Sequence, residues 1–279
     1  MKKWFENFHE NWRHLNRKLK IGVVLTVVML LIALISQFWT PYSTTAMDSS
    51  RVMHSPGLLH WMGTDNFGRD VWSRVTAGSG MTYLVAGLTV LIGFVFGVVI
   101  GSLTGYFGGW LDEVIMRLND MLLSFPSVLL ALIFISFLGK GTLNIVLALG
   151  LLFIPSFARI VRSEMIRYKE RDFVRSARIL KISPLRIIVF HILPNARVSL
   201  LTTAAIGFNN AVLAEASMSY LGLGVQPPTP SLGRMLSESQ SYLFNAPWMA
   251  IGCGVWIILI ILGFSLISDG LKEEGGDEQ

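Results

Sequence analysis

Six stretches of this chain are almost uninterruptedly apolar, at about residues 21–39, 81–105, 115–138, 143–160, 199–221 and 248–268. Crossing a hydrocarbon core of about 30 Å takes roughly 20 apolar residues of helix, and each stretch is close to that length. Backbone polar groups in lipid must be satisfied within the segment, so runs of this kind predict helices. The pattern predicts an all-α integral membrane protein with six transmembrane helices. Pro126 and Pro155 fall inside the third and fourth stretches. Each removes an N–H from its span, which predicts a kink or a packing irregularity there.

Charge gives the polar segments a side. Of 23 Lys and Arg, six lie in residues 1–20 and ten between Arg159 and Arg197. Lys and Arg accumulate on the cytoplasmic side of a membrane, so both segments are expected there. Six spans then put both termini, segment 106–113, loop 162–198 and the tail "SDGLKEEGGDEQ" inside, and 40–80, 139–142 and 222–247 outside. A nucleic-acid partner does not account for the net charge of +5, because the charges track membrane sidedness. The basic start followed by an apolar run has the outline of a signal peptide. The run is long for one, however, and ends "QFWTPY" without a small-residue cleavage site, so it reads as a retained anchor.

The sequence offers little chemistry of its own. "GKGT" at 139–142 contains Gly-Lys, but Phe134 stands where a phosphate loop needs its first glycine. "TAGSG" at 76–80 has Ala77 in place of the glycine of a serine-hydrolase motif, and the only later histidine, His191, lies in the loop assigned to the opposite side. The five histidines have no spacing that pairs two on one helical face, and Cys253 is alone. No catalytic or metal site is expected.

Loop 162–198 is the most informative segment. Projected as one helix, residues 171–182 place Phe173, Ala177 and Leu180 on one side, and Arg171, Arg175 and Arg178 on the other. Ser183 followed by Pro184 then resembles an N-cap and first helical position. Leu185, Ile188, Val189 and Ile192 continue at helical spacing until Leu193-Pro194-Asn195 breaks the helix. Two short helices at a bend, apolar on one face and rimmed with basic residues, fit either a segment held by anionic membrane lipid or a docking element for a soluble partner.

The same segment resembles the coupling loop of binding-protein-dependent ABC importers, whose pattern reads Glu-Ala-Ala-x3-Gly-x9-Ile-x-Leu-Pro. Ser176 and Ala177 occupy the alanine positions, and Leu193 and Pro194 match fully. Arg175 replaces the glutamate, Lys181 the glycine and His191 the isoleucine. A left-handed turn is costly without glycine, so the bend is expected either at Lys181 or at Ser183-Pro184. "HWMGTDNFGRDVWSR", His60 to Arg74, is similar to the Gly-Thr-Asp-x2-Gly-Arg-Asp-x2-Ser-Arg signature of the dipeptide, oligopeptide and nickel permease subfamily, in its C-type subunit. "EASMSYLGLGVQPPTPSLGRML", Glu215 to Leu236, resembles that subunit's segment after the fifth span.

The resemblance implies a type I (MetI-like) permease core plus one N-terminal helix, in a prokaryotic plasma membrane. Residues 1–76 would form the N-tail, first span and outer loop, 77–268 the five-helix core with its coupling loop, and 269–279 the tail. It also implies a B-type partner permease, two ATP-binding subunits that hold ATP and Mg, and an extracytoplasmic substrate-binding protein. The cargo would be short peptides or nickel and metal-chelate complexes. By the same resemblance Phe173, Arg175, Ser176, Ala177, Arg178, Leu180, Lys181, Leu193 and Pro194 contact the ATPase.

Other residues carry two readings each. Asp65, Arg69 and Asp70 form an ion-pair and capping cluster at a helix entry, or face the binding protein. Glu215 is costly inside a bilayer and needs a partner or water. With Asn209 and Asn210 it lines the translocation path, or makes a structural hydrogen bond within the bundle. Asp112, Arg117 and Asp120 read as an interfacial charge cluster. A rival from another class is an ion-gradient-driven secondary transporter with Glu215 as the coupling carboxylate.

Overall fold

The computed structural model describes residues 16–277, and every span in it is helical. The basic N-terminal segment through residue 15, and the last two residues of the tail, lie outside the described residues. Helix α1, Arg17–Ile35, is capped by Asn16, whose side chain accepts from Lys18 N–H. It ends at Ile35, four residues before the expected limit. Helix α2, Val71–Phe107, begins ten residues earlier than the hydropathy predicts, because Asp70 caps it by accepting from Ser73 N–H at 2.8 Å. At 37 residues α2 is about 55 Å long, so it projects well beyond the hydrocarbon layer.

The span expected at 115–138 is two helices, α3 (Gly109–Leu123) and α4 (Ser127–Leu138), bent by 92°. Pro126 supplies the break: it cannot donate to the preceding turn, and it drives Phe125 away from helical geometry. Pro155 has no such effect inside α5, Thr142–Lys169, which runs through it unbroken. The remaining long helices are α8, Arg197–Tyr220, and α10, Pro247–Asp277, so the expected tail after residue 268 continues as helix.

Glycines fix how the helices run. Gly93, Gly97, Gly101 and Gly105 recur every fourth residue on α2 and face Phe153, Phe157, Val161 and Met165 of α5 in the same order. A Cβ on Gly93 would come within 2.7 Å of Phe153 Cβ, and one on Gly105 within 2.6 Å of Met165 Cβ. This is the close backbone approach that small residues permit between membrane helices. The matched numbers rise together, so α2 and α5 are parallel, and the chain between them must recross the membrane. The broken pair α3–α4 is that return. Helix α8 runs against α5, through Ser199 to Glu164 and Gly207 to Phe157. Helix α10 runs against α1, with Gly270 on Leu19, Ile267 on Gly22 and Gly263 on Thr26. The start of α10 lies by the start of α2, where Trp72 and Trp256 meet edge to face. Consecutive spans therefore alternate in direction, and the described chain ends share one side with the 170–196 segment. Lys18 and Asn16 pair there with Glu273.

Candidate functional site

Between α5 and α8 the chain forms α6, Asp172–Ile179, and α7, Pro184–Ile187, followed by a π turn at Ile188–Ile192 and a helical turn at Leu193–Asn195. Val174 and Ala177 of α6 are fully or nearly buried with Ile187, Ile188 and Ile192, against Val161 and Met165 of α5 and Leu200 of α8. The loop is thus packed onto the ends of two spans. Its outer surface is apolar as well: Ile179 is 80 % exposed and Leu180 74 %, flanked by exposed Leu185 and Phe190.

This differs from the single-helix projection in three respects. Ala177 belongs to the inner face with Val174, whereas Phe173 is only about one-third exposed at 37 % and lies beside the Tyr168 ring. Leu180 has left the helix as its C-cap, so its angular position on a wheel carries no meaning. Ile179, which the projection passed over, is the most exposed apolar side chain of α6.

The bend is at Lys181, which adopts the left-handed conformation at φ +56°. Its N–H bonds Arg178 C=O at 2.9 Å, and Ile182 N–H bonds Ala177 C=O at 3.1 Å, the paired bonds of a Schellman cap. Lysine therefore holds the conformation usually given to glycine. Ser183 and Pro184 open α7, but the Ser183 side chain makes no capping bond. Leu193-Pro194-Asn195 does not end the helix where proline stands. The π turn places Leu193 N–H on Ile188 C=O, Asn195 Nδ2 donates to His191 C=O, and the chain turns by 73° only at Ala196. Among the basic residues, Arg178 lies over the Tyr106 ring at 5.3 Å, and Arg175 stands 3.7 Å from Glu170 and 3.8 Å from Asp172. Ser176, Lys181 and Pro194 are exposed and Leu193 is half-buried.

A groove of about 430 Å³ opens along the bundle between α3–α4, α5 and α8. Asn210 lines it, with Ser127, Ser156, Thr203 and Ser217 as its other polar side chains. Glu215 does not. It is fully buried on the other side of α8, where it accepts from Ser219 Oγ at 2.6 Å, Thr82 Oγ1 at 3.0 Å and, more distantly, Ser231 Oγ at 3.5 Å. Glu215 ties α8 to α2 and to the N-cap of α9, Leu232–Ser239. Asn209 points its Oδ1 into the bundle, without a hydrogen-bond partner among the described residues.

At the opposite end, Asp65, Arg69 and Asp70 all turn inward. Asp65 pairs with Arg69 at 2.6 Å and Arg74 at 3.5 Å, while Glu238 of α9 approaches both arginines at 3.7 Å. Asp70 accepts from His60 Nδ1 at 2.8 Å as well as capping α2. The cluster reads as internal scaffolding that clamps α9 to the start of α2. Nearby Asp48 is held below the ordinary carboxylate range by the Ser50 hydroxyl and amide. On α3 the charges divide: Asp112 grips Arg162 of α5 through two bonds and Asp120 grips Arg159, while Arg117 pairs within α3, with Glu113.

Comparison with known proteins agrees with this architecture. The family described as "binding-protein-dependent transport system inner membrane component" matches residues 97–273. The dipeptide transport system permease protein DppC of Alkalihalophilus pseudofirmus is 36% identical over 268 residues, covering 94% of this chain and 88% of its own length. The glutathione transport system permease protein GsiD of Pectobacterium atrosepticum is 36% identical over 269 residues, covering 95% and 89%. Among solved structures, the MetNI methionine ABC transporter in an inward-facing conformation matches with a TM-score of 0.60 at 21% identity, over 70% of this chain and 93% of its own, which shows the shared fold. The chain is an integral membrane protein and belongs to the binding-protein-dependent transport system inner membrane component family.

Proposed function

We propose that this chain is the C-type permease subunit of an ATP-driven importer of short peptides. The observation that carries the reading is the build of the 170–196 loop. Its inner residues Val174, Ala177 and Ile187 are locked onto the ends of α5 and α8, while Ile179, Leu180 and Leu185 stand outward, exposed among the described residues. A force applied to the outer residues is passed to both spans. In this reading the loop docks in a groove of an ATPase subunit on the cytoplasmic side, with both chain termini on that side. Two such ATPases hold ATP and Mg, a distinct B-type permease completes the path, and an extracytoplasmic binding protein delivers cargo. Closure of the ATPases draws the two loops together and opens the path outward. The division into residues 1–76, 77–268 and 269–279 is kept as a description of anchor, core and tail.

Cargo is argued from the relatives, which are named for dipeptide and glutathione transport. Both names favour peptides over the nickel complexes that the wider subfamily also includes. Family membership gives no support to the secondary-transporter rival, and Glu215 is pinned by three hydroxyls away from the groove. Uptake of labelled dipeptide, glutathione and nickel, in cells with and without this chain, tests the proposal. Loss of peptide uptake is expected, restored only where the ATPase partners are active. Nickel uptake alone would reassign the cargo, and uptake that follows a proton gradient without nucleotide would refute the importer reading.

A further inference from the structure

The groove beside α8 contains a pattern that neither the family nor the relatives' names supply. Its walls are apolar residues such as Phe153, Phe157 and Ile206, relieved by Ser127, Ser156, Thr203, Ser217 and the single amide of Asn210. Among the described residues, none of the side chains lining it is ionisable. Charged residues do sit beside lining positions on the same helices, but each is bonded to a partner within the chain. Arg159, next to Ile160, is engaged by Asp120, and Glu215, next to Ala214, is enclosed by Thr82, Ser219 and Ser231. Asn210, in contrast, is exposed and appears in no hydrogen bond among the described residues.

Resting on the importer reading, we infer that this groove is a charge-indifferent half of the translocation path, and that Asn210 is its cargo-contacting polar residue, meeting the peptide groups of a passing short peptide. A carboxylate or guanidinium in this wall would hold a cargo of opposite charge and repel one of like charge. Hydroxyls and a carboxamide both donate and accept, so they serve the backbone amides common to every peptide regardless of its side chains. A volume of about 430 Å³ also suits a small ligand. The inference concerns tolerance: acidic, neutral and basic peptides should pass this chain alike. Replacing Asn210 by aspartate should introduce the discrimination that the native wall lacks.

The test uses the assembled transporter in membranes, with Cys253→Ser and a reporter thiol at Ser217→Cys, seven residues from Asn210 on the same face of α8. The thiol is reacted with cationic and anionic methanethiosulfonates of similar size, and Ser156→Cys serves as a second reporter on α5. With Asn210 present, the cation-to-anion rate ratio should stay within about threefold of that of a free thiol, and Asn210→Asp should raise it by on the order of tenfold. A native ratio already skewed by about tenfold or more, a ratio unmoved by Asn210→Asp, or no labelling at either reporter overturns the inference. In parallel, uptake of alanyl-lysine and alanyl-glutamate is compared. Equal uptake by the native transporter and preferential loss of alanyl-glutamate in Asn210→Asp are expected, and strongly unequal native uptake overturns the inference. If neither peptide enters while the labelling pattern holds, the peptide reading fails and the charge-indifferent wall stands.

Discussion

Lys181 permits a quantitative test of the loop geometry. A left-handed residue with a Cβ costs about 1–2 kcal/mol relative to glycine, and glycine returns about 0.5–1 kcal/mol of that through its freer unfolded chain. Lys181→Gly should therefore stabilise the folded loop by about 0.5–1 kcal/mol net, because φ +56° and the two cap bonds to Ala177 and Arg178 carbonyls remain available. Lys181→Val should act in the opposite direction by about 1 kcal/mol, since a β-branched residue tolerates this region poorly. Local opening of α6 is the event these energies control. Hydrogen exchange followed by mass spectrometry, on the protein in a bilayer disc, reads that opening in peptides spanning 172–182. Exchange should slow roughly two- to fivefold in the glycine variant and quicken about fivefold in the valine variant, with the α10 peptides unchanged. Equal exchange in all three proteins would refute a left-handed cap at Lys181 and move the bend to Ser183-Pro184.

Further outcomes follow from the same contacts. Gly97→Leu should destabilise the α2–α5 pair by about 1–3 kcal/mol, since its side chain would enter space held by Phe157 and Ala158, and a lower midpoint of detergent-resolved thermal unfolding would record it. Glu215→Gln should keep assembly and most transport, whereas Glu215→Leu should cost about 1–3 kcal/mol by stranding the Thr82, Ser219 and Ser231 hydroxyls. Equal yields and thermal midpoints for the two would count against the structural role. Arg175→Glu should impair transport with the native ATPase, and a matching acid-to-Lys change in the ATPase groove should restore it; transport unaffected by the first change would place Arg175 outside the contact.

Hydropathy made the six spans legible because the bilayer sets their length directly. Their ends were less so. Asp70 and Ser73 start α2 ten residues outside the apolar run, and that start depends on a polar cap rather than on hydrophobicity. Pro126 announced a break, yet its 92° size depends on where α4 packs. The four-residue glycine repeat from Gly93 to Gly105 was readable as a small-residue seam that predicts a close helix contact, while its partner, α5, and the parallel direction came from the packing. On the loop, the wheel drawn over 171–182 assumed one continuous helix, whereas the helix ends at Ile179 and Lys181 turns left-handed, so the wheel missed that Ile179 faces outward. Ser219 lies one helical turn after Glu215, but its other two partners lie 133 residues before it and 16 after it, separations that no local pattern encodes.

Crosslinking from the loop tests the central claim most directly. In the assembled complex with Cys253→Ser, a thiol-attached photocrosslinker is placed at Ile179→Cys, and in a second preparation at Phe244→Cys, which is fully exposed at the opposite end of the bundle. The account predicts that illumination joins the Ile179 position to a subunit bearing a phosphate-loop ATPase, and that the yield changes when ATP closes the ATPase pair. No ATPase should be captured from Phe244. Capture of lipid alone from Ile179, or of the ATPase from Phe244, would contradict it.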